Sequence, residues 1–95
     1  MPAPINFAEK RAGKIFRLYT GFKDLDAAMI YLFEVGNNYE TYYRDAIFLN
    51  SRIQGAFEYF ADIPVFRLPI HGARAKLMPI LKLNHEIGIC ARDPN

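Results

Sequence analysis

His71, His85 and Cys90 are the residues of this 95-residue chain best suited to bind a soft metal or to act as base and nucleophile. Zinc or thiol chemistry would have to be assembled from them together with carboxylates. His85 and Glu86 open like a zinc-protease motif, but its second histidine would fall at position 89, which is Ile89. If Ile87 to Arg92 is a strand continuing from His85, the five-residue separation sets His85 and Cys90 on opposite faces. The favoured reading is a half-buried structural cysteine and surface histidines. Asp24 and Asp26 are explained by helix capping. There is no glycine-rich phosphate loop, no nucleophile elbow, and no carboxylate pair that the sequence forces together. The expectation is a non-enzymatic chain with no cofactor and no metal, a small Cys/His-dependent enzyme being the least favoured alternative.

Binding chemistry has more material. Lys10, Arg11 and Lys14 form one basic cluster, and Arg74 and Lys76, with His71, form a second around Gly72. Either could touch phosphates, with Phe16 or Tyr19 stacking on a base, although the acidic middle of the chain offers these cations an internal counter-charge. Phe48, Arg52 and Tyr59 are types enriched in binding hot spots, and are read as the outward face of a long helix or as a face covered by the preceding helix. Tyr39, Tyr42 and Tyr43 could be core rings with wet hydroxyl tips, or a contact patch.

The elements positioning these residues are read from periodicity. Asn6 and Glu9 suit the start of a short helix from Phe7 to about Ala12, ended by Gly13. Lys14 to Thr20 is rich in β-branched and aromatic residues and reads as a strand. Asp24 caps a helix through about Val35, stopped by Gly36 and Asn37. Asn38 caps a longer helix whose apolar positions Tyr39, Tyr42, Ala46, Leu49, Ile53, Ala56, Phe57 and Phe60 recur at three and four residue intervals up to Pro64, with Gly55 an internal weakness. Three strands follow, Val65 to Ile70, Leu77 to Leu83 and Ile87 to Arg92, with Ala73 to Met78 an alternative helical turn stopped by Pro79. Pro69 and Pro79 place at least one of these strands at an edge or a bulge. The expected fold is α+β: a small antiparallel sheet of about four strands, in the order strand, helix, helix, strand, strand, strand, with two main helices on one face. Residues 1–95 read as one domain, with 1–13 an extended or short-helical arm.

Composition narrows the class. Hydrophobic residues make up 52% and aromatic residues 15% of the chain, enough apolar material to offset chain entropy. No apolar run reaches the roughly 20 residues of a membrane span, no export signal is read, and a single cysteine suits a reducing cytoplasm. The net charge of +2 hides a segmented pattern, basic up to Lys23 and after Ile63, acidic from Asp24 to Asp62. No motif is specific enough to import a known function. The expectation is a small protein-interaction module, a regulator or inhibitor of a larger nucleic-acid-processing machine of the type encoded by mobile genetic elements. The alternatives are a nucleic-acid-binding domain using the basic clusters and, within protein binding, a homodimer through the long helix.

Overall fold

The computed structural model describes residues 7–91, with side chains from Lys14 onward except Phe16. The elements run α1 (Phe7–Leu25), β1 (Ile30–Val35), β2 (Asn38–Tyr42), α2 (Tyr43–Arg52), β3 (Ala56–Phe60), β4 (Ile63–Pro69), α3 (Ala73–Lys82) and β5 (Ile87–Cys90). The class is α+β, but there are five strands and three helices. The sheet order is β3-β4-β2-β1-β5, and it is mixed because β5 pairs parallel with β1. The helices lie on both faces rather than one.

The two faces follow from the registers. Tyr31, Phe33, Glu40, Tyr42, Val65, Arg67, Glu58, Phe60 and Cys90 share one face. Here α1 presents Ile15, Tyr19 and Phe22 at i, i+4 and i+7 against Phe33, Tyr42 and Val65. The other face carries Ile30, Leu32, Phe66 and Leu68, covered by Ala46 and Leu49 of α2 and by Ala73, Leu77 and Ile80 of α3.

Several elements differ from their sequence reading for identifiable reasons. Lys14 to Thr20 is not a strand: its segment also carries the helical stripe just described, and burial of that stripe overrides β propensity. Residues 26 to 35 are not a helix, and Asp24 and Leu25 are the last residues of α1 rather than the start of a new one. Lys23 donates to the carbonyls of Ala27 and Met29 at 2.7 and 2.8 Å, and Asp26 accepts from the Ala28 amide at 3.1 Å, so this stretch turns into β1. That strand lies between β2 and β5 with both faces apolar, which explains why the segment shows little polar surface.

The long helix expected from 38 onward is in fact β2, α2 and β3. Only Ala46 and Leu49 of its stripe are buried helical residues, while Tyr42 and Phe60 belong to strands. Gly36, at φ 62°, is the first loop residue of the β1–β2 hairpin and not a helix stop. The strand expected at Leu77 to Leu83 is part of α3, which continues through Pro79. Pro79 and Ala75 are both exposed, so the helix takes its proline on the solvent side.

The prolines of β4 are placed by hydrogen-bond direction, not at an edge. The amide of Ile70 donates to the carbonyl of Asn37 at 2.9 Å, so the even residues of β4 point their amides toward β2 and the odd ones toward β3. Pro64 therefore faces β2 just past its last residue, Tyr42, and Pro69 faces β3 just before its first, Ala56. Neither removes a ladder bond.

The β3–β4 hairpin turns on Ala61 and Asp62, with φ of 48° and 67°, a pair of left-handed residues such as a type I′ turn needs. Ala61 is not one of the residues, glycine, asparagine and aspartate, that adopt this conformation readily, and Asp62 adopts it less cheaply than glycine would. Replacing them together by Ala61→Asn and Asp62→Gly is expected to stabilise the fold by about 1–2 kcal/mol. The check is a raised urea midpoint at unchanged slope.

Candidate functional site

Two side-chain networks organise the face that α1 partly covers. At one end Asp45, in the first turn of α2, is buried and accepts from the Tyr19 hydroxyl at 2.8 Å and from Lys23 Nζ at 3.1 Å. Burial, followed by the Asp45 carboxylate, pushes the Tyr19 phenol well above its usual range. Asp45 thereby ties α1 to α2 around the end of the sheet and consumes the charge of Lys23.

Farther along the same face is a row of polar groups on adjacent strands. Arg67 of β4 donates to Glu40 at 2.6 Å and also to Glu58 of β3, while the Tyr42 hydroxyl donates to Glu40 at 3.0 Å. Desolvation would lower the Arg67 guanidinium, but the hydrogen bonds to Glu40 and Glu58 outweigh it and hold the group up. Burial, then Glu40, raises the Tyr42 phenol. Asn38 stands on this face two residues before Glu40, and Glu58 is 53% exposed at the outer end of the row. Amide, carboxylate and guanidinium groups in one row are the kinds that pair with base edges or peptide groups.

The cations fall on two sides of the sheet. Lys14 and Arg17 are exposed on α1, three residues apart, and neither has an ion-pair partner among the described residues. Arg74 and Lys76 are exposed on α3, which packs on the opposite face. Lys14, the described member of the first cluster, therefore lies on the opposite side of the sheet from Arg74 and Lys76. The side chains of Lys10, Arg11 and Phe16 lie outside the described residues, and Tyr19 is buried, so it offers no ring for stacking. Arg17 escapes a sequence reading that places it inside a strand.

The aromatic trio is divided as well. Arg52 sits 5.5 Å above the ring of Phe48, as expected for i, i+4 on α2, and Phe48 is half-buried against the core with the His85 ring 4.8 Å away. Tyr59 is on β3, 66% exposed, edge-on to Phe57 at 5.4 Å. Tyr39 packs on the α2–α3 core, while Tyr42 and Tyr43 pack with Tyr19 on the other side, so the three tyrosines do not form one patch.

Of the chemical candidates, Cys90 packs in the α1-side cluster and His85 against Phe48 on the other face. Burial raises the Cys90 thiol, which disfavours the nucleophilic thiolate. His71 is exposed in the turn before α3. Among the described residues no group of three His, Cys, Asp or Glu side chains is close enough to hold a metal, and no helix is long and apolar enough to cross a membrane.

Comparison with known proteins adds what the geometry alone lacks. The sequence is similar to the DNA mismatch repair protein MutS of Chlorobium chlorochromatii (strain CaD3), 27% identical over 82 residues. That alignment covers 85% of this chain but spans only 9% of the length of that relative. The family model for MutS domain I matches residues 14–94, a stretch that takes in both polar networks and all five strands. The chain belongs to the MutS domain I family.

Proposed function

We propose that this chain is a non-catalytic, DNA-binding module of mismatch-repair type that acts in the cytoplasm. The observation that carries this reading is the family match, which runs from Lys14 to beyond β5. The α1 face suits the role better than the α3 face because it combines two kinds of group. Lys14 and Arg17 supply cations for phosphates, and Asn38, Arg67 and Glu58 supply the donors and acceptors that read base edges. The α3 face offers Arg74 and Lys76 without such a row. As a regulator of nucleic-acid-processing machinery, the chain would act by occupying DNA that the machinery needs.

The test is fluorescence anisotropy with a short duplex, fully paired or carrying one central mismatch, over a range of salt. Binding is expected to weaken as salt rises, because the phosphate contacts release counterions. Lys14→Glu combined with Arg17→Glu should lower affinity by about tenfold or more at low salt, while Arg74→Glu with Lys76→Glu should have the smaller effect. If neither duplex binds even at low salt, the reading fails. If the α3 pair has the larger effect, the face assignment fails while DNA binding stands.

A further inference from the structure

We infer that the free edge of β3 is a docking site for an extended segment of another protein, one carrying a basic residue flanked by apolar residues. The inference does not require DNA binding, though it uses Glu58 of the same polar row, and rests on the hydrogen-bond register of the β3–β4 hairpin. A two-residue loop with both φ positive closes on a hydrogen-bonded pair, here Phe60 and Ile63. Alternation then makes Glu58/Val65 and Ala56/Arg67 hydrogen-bonded pairs, and Phe57/Phe66 and Tyr59/Pro64 non-hydrogen-bonded ones. Pro64 fits, since it has no amide to give. The amides and carbonyls of Phe57 and Tyr59 accordingly point away from β4, and among the described residues β3 is the last strand of the sheet on that side.

Free edges are usually blunted by charged side chains, above all lysine, by proline or by a bulge. The strand Ala56–Phe60 contains neither lysine nor proline, and its pairing with β4 runs without a bulge. It instead presents Tyr59, 66% exposed, beside Phe57 on one face, and Glu58, 53% exposed, on the other. Glu58 shares the single guanidinium of Arg67 with Glu40, leaving one carboxylate of the row uncompensated. An added antiparallel strand would hydrogen-bond to Phe57 and Tyr59 and set its intervening residue opposite Glu58, where side chains approach closely. A lysine or arginine there completes the charge balance, and apolar neighbours pack on the Tyr59 and Phe57 rings. This is strand addition, with main-chain bonds supplying affinity and alternate side chains supplying selectivity.

The test uses a fluorescein-labelled peptide Ser-Thr-Val-Lys-Val-Thr-Ser with the whole chain, followed by anisotropy and by amide shifts in nitrogen-15 spectra. Saturable binding is expected, with the largest shifts at Phe57 and Tyr59. Methylating the two valine amides of the peptide should weaken binding by about tenfold or more, because the added ladder loses its donors. Replacing the peptide lysine by glutamate should weaken it by about fivefold. Failure to saturate at millimolar peptide, equal binding of the methylated peptide, or shifts centred elsewhere would overturn the inference. So would sedimentation showing a dimer that Tyr59→Pro dissociates, since the occupant would then be a second copy. Peptide binding is measured without DNA, so a failure of duplex binding leaves the outcome of this test unchanged.

Discussion

Asp45→Ala should destabilise the fold by about 3 kcal/mol or more, the cost expected when one partner is removed from a buried ion pair. Asp45 and Lys23 are 9% and 14% exposed at their side chains, so solvent replaces little of what is lost. Lys23 would keep its bonds to the Ala27 and Met29 carbonyls, but its charge would stand uncompensated, and the Tyr19 hydroxyl would lose its acceptor. In a chain of this size the melting temperature would fall by on the order of 15 °C. Asp45→Asn, which keeps an acceptor for Tyr19 but removes the charge, should fall between wild type and alanine. A loss under about 1 kcal/mol for the alanine variant would place the pair among weakly coupled surface bridges, contrary to the burial seen here. The same network limits the DNA reading, because Lys23 is committed to Asp45 and leaves Lys14 and Arg17 as the described α1 cations available for phosphates.

The parts of the fold legible in the sequence are short apolar runs bounded by turn residues. Val65 to Ile70 and Ile87 to Arg92 were readable as strands and correspond to β4 and β5. Where two periods coexist in one segment, the sequence does not choose between them. Lys14 to Thr20 alternates like a strand, yet Ile15, Tyr19 and Phe22 form an equally good helical stripe, and only the presence of a sheet face to cover selects the helix. From Asn38 to Phe60 the three and four residue spacing is accidental over most of its length, and the β3–β4 turn carries no glycine to reveal it. The parallel pairing of β5 with β1 joins residues far apart in sequence and leaves no local mark.

The candidate sites show the same division. Phe48 and Arg52 are four apart on a real helix, so their contact was legible, whereas Tyr59 left the trio once the helix ended at Arg52. The Glu40–Arg67–Glu58 row joins three strands and could not be read from spacing, since Arg67 and Glu40 are 27 residues apart. Family membership likewise comes from similarity spread along residues 14–94, not from a short motif. The two basic clusters were visible as charge runs, but the separation of Lys14 from Arg74 and Lys76 depends on which side of the sheet each helix takes.

Gly55→Ala separates the helical and strand readings of this region most sharply, because they predict opposite signs. Inside a helix, glycine is worse than alanine by roughly 0.5–1 kcal/mol, and the substitution would stabilise. In the fold described here Gly55 lies just before β3, where the chain passes close over β4. A methyl group at Gly55 would overlap the ring of Phe66 and come within 2.8 Å of the Arg67 carbonyl oxygen. Neither neighbour can yield easily. Phe66 is 1% exposed in the α2–α3 core, and Arg67 is held by β2 on one side and β3 on the other. Relief would require moving β3 away from β4 or displacing Phe66 into its packed neighbours, so the substitution should cost about 3 kcal/mol, the upper part of the range for overpacking. Because Arg67 also carries Glu40 and Glu58, the amide shifts of those residues should move together with the loss of stability. A rise in the urea midpoint for Gly55→Ala would mean that this segment is helical and that the β3–β4 hairpin is wrong.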